Sequence, residues 1–243
     1  MSHAADAAAL FYRPPSGRTA LTQQRAVVAE LFTSAFGAAV SDYADARVCR
    51  HFLAGLCVAD LFKTGRGALP PCERLHDAAL RRAYEARAPG APGYEGELVA
   101  FLEGIVAKLE RDGAIAISTR ASEGGAVPRV DIDAHADVVA AAARVAAKAA
   151  ELDAAGATAD TARLEDELRE LHAARLELSA QLLRDAEPAA TTKWRCCSTC
   201  VSLLNLSDAN ARIAEHYSSS AHIGNTLIRA KLGELRGAAA RPA

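Results

Sequence analysis

Eight side chains, in two groups, have the types and spacing of closed metal sites. Cys197 and Cys200 have two residues between them, and His216 and His222 follow with five between them. Two thiolates and two imidazoles in this order are the ligand set of a Cys2His2 zinc site. A Cys-x-x-Cys turn aims both sulfurs at one point, while a helix entering at a Ser207/Asp208 cap would carry His216 back to the same ion. His222 lies too far on for the next turn of an ordinary helix, so residues 217–221 are expected to loop or kink.

The other group is Cys49, Cys57, Cys72 and His76, a Cys3His set. Cys72 and His76 are spaced i, i+4, which on a helix launched by Pro70 and Pro71 would present both from one face. His51, two residues from Cys49, is expected to point away. Four protein ligands leave no open position for water, so two structural zinc ions are expected and no zinc catalysis. Cys196 is left over and has no neighbouring base. It is expected to pack beside the site, so the chain reads as a non-enzyme.

Composition says what can hold these ligands in place. Of 243 residues, 51% are hydrophobic, yet much of that is alanine and only 5% are aromatic. Several small helical or metal-stapled units fit this better than one large core. Val138 to Ala150 is interrupted by Arg144 and Lys148, so no membrane span is expected. No basic leader precedes the apolar patch from Ala7 to Phe11. A reducing compartment is therefore expected, where six cysteines serve as ligands and not as disulfides.

The net charge of −2 conceals a segregation. Residues 47–87 carry eight Lys/Arg against four Asp/Glu, residues 133–187 six against twelve, and residues 188–243 seven against three. Two basic cysteine-bearing modules flank an acidic segment, which suggests a polyanion as partner.

In chain order, residues 1–18 are Ala-rich and then contain Pro14, Pro15 and Gly17, and are expected to be poorly ordered. Residues 19–112 form the first module. It opens with an amphipathic helix over 19–39 whose apolar face packs inside the protein or docks on another subunit. Residues 113–132 read as a loop or short hairpin, because Ile115 and Ile117 alternate and Gly124, Gly125 and Pro128 break a helix. Residues 133–187 read as an antiparallel helical hairpin, a short coiled coil, with helices over 134–152 and 161–185. Val138, Val145 and Leu152 make one seam, and Leu164, Leu168, Leu171, Leu178 and Leu182 the other, with Arg175 at a seam position. Gly156 stops the first helix and Asp160 caps the second. The hairpin reads as a solvated spacer holding the modules apart, or as a docking surface. Residues 188–236 hold the Cys2His2 finger and a following helix, and 237–243 a tail. Trp194, between Lys193 and Arg195, either covers the small finger core or stacks on a base. The fold class is thus mainly α, with Cys3His and Cys2His2 finger modules joined by the hairpin.

These pieces in this order resemble the Luc-seven-like family of splicing factors, associates of the U-one small nuclear ribonucleoprotein. The first block carries the likeness through Arg47, Val48, Cys49, Cys57, Asp60, Cys72, His76 and Asp77, then Ala79, Leu80, Arg81, Tyr84 and Glu85. The second carries it through its four ligands with Asp208, Asn210, Arg212, Ala214, Gly224, Arg229, Lys231, Leu232 and Leu235. The turn from Leu152 to Asp160 matches as well. Ser218, Ser219, Ser220 and Ala221 depart from the family's basic step before the last histidine, residues 113–132 interrupt what is usually continuous helix, and contacts through an Arg/Ser-rich tail are not expected.

The resemblance implies a nuclear RNA-binding protein that helps recognise 5′ splice sites in pre-mRNA splicing. Its partners would be the duplex of U-one RNA with the splice site, and ribonucleoprotein proteins reached through the 19–39 helix and the first finger. A short duplex is marginal, and cations across both strands would slow its dissociation without reading its sequence. The candidate RNA contacts are Lys193, Arg195, Asn210, Arg212, Arg229 and Lys231. Arg47, Arg50, Lys63 and Arg66 are those of the first finger, unless that finger docks protein. A DNA-binding or protein-interaction adaptor is the alternative, although only one Cys2His2 unit occurs.

Overall fold

The computed structural model describes residues 40–63, 68–88, 93–155, 160–186 and 193–239. The expected 19–39 helix, the 1–18 segment, Arg66 and the Gly156 stop fall outside them. The described residues form helices α1 (Arg50–Leu53), α2 (Val58–Leu61), α3 (Ala78–Glu85) and α4 (Glu95–Gly124), strand β1 (Arg129–Val130), then helices α5 (Ala136–Ala155) and α6 (Thr161–Asp185). Strands β2 (Trp194–Cys197) and β3 (Leu203–Asn205) and helices α7 (Asn210–Ser218) and α8 (Ser220–Ala239) complete the chain. The mainly helical class is as expected.

Two segments differ from the sequence reading. Residues 113–124 are not a loop but the second half of α4. Ala114, Ala116 and Ala121 favour helix, and the Thr119 and Ser122 hydroxyls bond back to the carbonyls of Ile115 and Thr119. The stop comes where Gly125 adopts φ 99°, a conformation that favours glycine. Residues 72–76 are not helical either. The Asp77 carboxylate accepts from the amides of Ala79 and Leu80, so α3 begins only at Ala78. The segment before it is irregular, bending at Glu73 and Arg74, with Leu75 bridged in parallel to Val48.

The hairpin of α5 and α6 forms, with the first seam as expected in Val138, Val145 and Leu152. Of the second only Leu164 is buried; Leu168, Leu171, Leu178 and Leu182 are half-buried, and Arg175, Ser179, Ala180 and Leu183 take the buried positions. It does not hold two separate modules apart. Ala180 and Leu183 of α6 pack with Val138, Ile213, Tyr217 and Leu204 in one core, so the hairpin lies against the second finger. Arg184 donates to the carbonyls of Leu206 and Asp208, and Asn210 Nδ2 to Glu177 Oε1 at 2.8 Å.

The fingers also touch each other. Ala54 and Val58 of the first, Leu98 and Leu102 of α4, and Ile228, Leu232 and Leu235 of α8 share a core. Helix α4 is the spine. Its first turns lie in that core, and from Leu109 onward it meets the β2–β3 finger, Leu109 and Ile117 packing against Val127, Cys196 and Val201. Gly113 permits this approach, since a Cβ there would overlap the Val201 side chain. Among the described residues no helix is long and apolar enough to cross a membrane.

Candidate metal centres

In the first centre, an irregular bridged segment and two short helices deliver the ligands. Cys49 precedes α1 and Cys57 precedes α2, each as the helix's N-cap residue. The Cys49 amide donates to the Leu75 carbonyl at 3.0 Å and the Leu75 amide to the Arg47 carbonyl at 2.7 Å, which brings 72–76 alongside. In the second, β2 ends at Cys197, and Val201, at φ 58°, closes the turn that carries Cys200. Helix α7 brings His216 round. It begins at Asn210 with Ala209 as N-cap, so Ser207 and Asp208 do not cap it; Asp208 instead pairs with Arg212 at 3.3 Å. The expected kink before His222 is at Ser219, whose backbone is extended and whose hydroxyl donates to the His216 carbonyl at 2.7 Å and accepts from the His222 amide at 3.2 Å.

Cys49, Cys57, Cys72 and His76 thereby converge, as do Cys197, Cys200, His216 and His222. Within each group the four ligand atoms all lie within 4.8 Å of one another. His51 belongs to neither group; it stacks on Phe101 with ring centroids 4.6 Å apart.

The donor geometry fits zinc. With Zn–S of about 2.3 Å and Zn–N of about 2.0 Å, a tetrahedron has S···N edges of about 3.5 Å. Cys197 Sγ to His222 Nδ1 and Cys200 Sγ to His216 Nε2 are both 3.6 Å. His76 Nε2 is a buried nitrogen without a hydrogen-bond partner, while its Nδ1 faces Asp60 Oδ2 at 2.8 Å. The thiols are themselves perturbed. Hydrogen bonding from the Cys57 thiol brings Cys49 down to about 4 against the effect of burial, and the same contact raises Cys57. Cys197 likewise brings Cys200 down to about 7. Crowded sulfurs that share protons in this way are the arrangement a divalent cation relieves.

One acidic residue that the spacing did not single out enters the second centre. Asp133, between β1 and α5, places Oδ2 3.0 Å from His222 Nε2 and accepts from Thr199 Oγ1 at 3.0 Å. The His222 contact is within ion-pair distance, although its alignment falls short of a hydrogen bond. Burial would raise the Asp133 carboxyl, but His222, Thr199 and Arg175 outweigh it and leave it below the usual range. Strand β1 reaches the same finger, pairing in parallel with β2 through Arg129 with Cys196 and Val130 with Cys197. A two-residue strand placed before a long hairpin leaves no pattern in the sequence.

Cys196 is fully buried, and burial pushes its thiol up to about 11. Trp194 packs beside it, with the Arg120 guanidinium 4.3 Å from the ring centroid. Of the six candidate RNA contacts, Lys193 is exposed and the Arg212 side chain is 75% exposed. Arg195 is buried, and its Nη1 donates to the Trp194 carbonyl at 2.9 Å. Arg229 donates to the Thr199 carbonyl at 2.8 Å and to Glu110 at 2.6 Å. Lys231, 13% exposed, pairs with Glu234 at 3.1 Å, and Asn210 is held by Glu177. The six are thus not gathered on one open face. In the first finger Arg47, Arg50 and Lys63 are exposed and pair with Asp45, Glu97 and Asp60.

The family model described as LUC7 N-terminus matches residues 22–241. Alsin2 of Drosophila melanogaster is 31% identical over 206 residues, covering 82% of this chain and 49% of its own. Luc7-like 1 of Homo sapiens is 29% identical over 202 residues, covering 80% and 54%. The names of both describe RNA-binding proteins. Luc7-like protein 3 of Homo sapiens is 28% identical over 202 residues, covering 78% and 46%. The chain spans about half the length of these curated relatives. No solved structure matches it.

Proposed function

The chain belongs to the LUC7 family, and from that membership we propose that it is a nuclear RNA-binding protein of pre-mRNA splicing. In this reading it associates with the U-one small nuclear ribonucleoprotein and stabilises the short duplex formed by U-one RNA and a 5′ splice site. The observation that carries the reading is the extent of the family match, which runs through both four-ligand clusters and everything between them. The names of Alsin2 and Luc7-like 1 support RNA as the ligand.

Zinc, when bound, supplies a structural cross-link at each centre; Cys49, Cys57, Cys72 and His76 would hold one ion and Cys197, Cys200, His216 and His222 the other. The protein's own part is to hold cations on a rigid frame, and no catalytic step is assigned to it. Lys193 and the exposed Arg212 are the contacts from the second finger that can meet phosphate directly. Arg195 and Arg229 act indirectly, as parts of the frame.

The test is fluorescence anisotropy of the zinc-loaded chain with a short RNA duplex and a DNA duplex of the same sequence at equal salt. Tighter binding to RNA is expected. Equal or tighter binding to DNA would favour a DNA-binding adaptor. Affinity purification from nuclei with sequencing of bound RNA then asks whether U-one RNA is recovered; its absence would remove the splicing assignment.

A further inference from the structure

We infer that Asp133 is a positioning residue of the second zinc centre, so that this finger is completed by the segment leading into the hairpin and not by its own sequence alone. His222 Nδ1 is 3.6 Å from Cys197 Sγ and faces the other ligands, which leaves Nε2 as the outward nitrogen. His222 is fully buried, so Nε2 cannot turn to water. The group it meets is Asp133 Oδ2, at 3.0 Å.

A histidine that ligates a metal through one ring nitrogen carries its proton on the other, and a carboxylate at that proton fixes the tautomer and ring orientation and raises the basicity of the ligand. Asp133 is itself fixed, because Thr199, between the two cysteine ligands, donates to the same oxygen at 3.0 Å. The first centre repeats the arrangement with opposite ring nitrogens: Asp60 Oδ2 is 2.8 Å from His76 Nδ1, and the buried Nε2 is left for the metal. Asp60 follows Cys57 by three residues and belongs to its own finger. Asp133 does not. It enters from between β1 and α5, which makes the metal affinity of the second centre depend on docking of the hairpin.

The test uses the full chain and two probes, zinc in competition with a chromophoric chelator and cobalt(II) absorption. Asp133→Asn keeps the volume and removes the charge. It is expected to weaken one of the two ions by about 10- to 100-fold, to shift the cobalt bands of the second centre, and to leave the other ion unmoved. Asp133→Glu is expected to recover part of the loss. Asp60→Asn is expected to weaken the other ion instead, and Asp137→Asn, on an exposed neighbour, neither. A residue that only supported the fold would lower thermal stability without separating the two affinities. Should Asp133→Asn fail to fold, Thr199→Ala leaves the carboxylate in place but unanchored and is expected to weaken the same ion several-fold. Affinities within twofold of the parent and unchanged cobalt spectra, in whichever of these variants fold, would overturn the inference.

Discussion

The Phe62 ring of the first finger lies against the backbone of Gly224 in the second, so closely that a Cβ at 224 would fall 2.6 Å from the ring's Cε1. The contact sits beside the Val58, Leu98 and Ile228 core and shows that the two fingers pack as one body. Gly224→Ala gains helix propensity but must displace an aromatic ring in a filled space. The expected net loss is about 1–2 kcal/mol. Gly233, on the same helix with open space where its Cβ would be, serves as the control. Gly233→Ala should stabilise by about 0.5–1 kcal/mol. Thermal unfolding of both zinc-loaded variants checks the pair, and a stabilising Gly224→Ala would contradict the packing.

Metal removal should follow the same logic. Native mass spectrometry is expected to find two zinc ions per chain, and a strong chelator to unfold the finger regions reversibly. Cys57→Ala should lose one ion and keep the other. Because Ala54 and Val58 share a core with Ile228 and Leu232, the retained centre should also become easier to strip. If its chelator sensitivity stayed at the parent value, the fingers would be independent units.

The two Cys/His groups that converge were legible because coordination fixes residue type and spacing together: two Cys two residues apart and two His beyond a helix admit few other readings. The hairpin was legible because Val138, Val145 and Leu152 repeat at a fixed period. What failed to show was tertiary. The close approach of Val201 that Gly113 permits has no signature in the residues around it. Arg129 and Val130 are a strand only because β2 offers an edge to pair with. Arg195 and Arg229 read as free cations by residue type, yet one is buried in the central strand of the sheet and the other is clasped by Glu110. Charge in a sequence does not say which cations the fold uses internally.

Glu110 is where that internal use concentrates. Its carboxylate meets Arg129 at 2.7 Å and Arg229 at 2.6 Å, joining α4 to β1 and α8. Burial alone would raise its pKa, but the two guanidinium groups outweigh burial and leave it below the free value of about 4.5. A group more acidic in the fold than in the unfolded chain stabilises fully above the unfolded value, and that contribution disappears as pH falls through the folded one. Glu110→Gln should therefore cost about 1 kcal/mol near pH 7, allowing for the partial exposure of all three groups. The difference from the parent should shrink between about pH 5 and pH 3. Urea unfolding at a series of pH values measures it, and a difference that grew on acidification would have the wrong sign.

The salt dependence of RNA binding separates cations that meet phosphate from those that hold the frame. Each phosphate neutralised contributes about 0.7–0.9 to the slope of log affinity against log salt. Lys193 is exposed and Arg212, 75% exposed, has a solvent-screened partner in Asp208, so Lys193→Ala with Arg212→Ala should lower the slope by about 1.5 and leave the melting temperature nearly unchanged. Arg195→Ala should do the reverse. The residue is 3% exposed, so truncation opens the finger sheet and lowers stability, while any loss of affinity comes with the slope preserved. Anisotropy titrations across a range of potassium chloride concentrations, with a melting curve for each variant, distinguish the two. A reduced slope in Arg195→Ala at unchanged stability would mean that this side chain leaves the sheet to reach RNA.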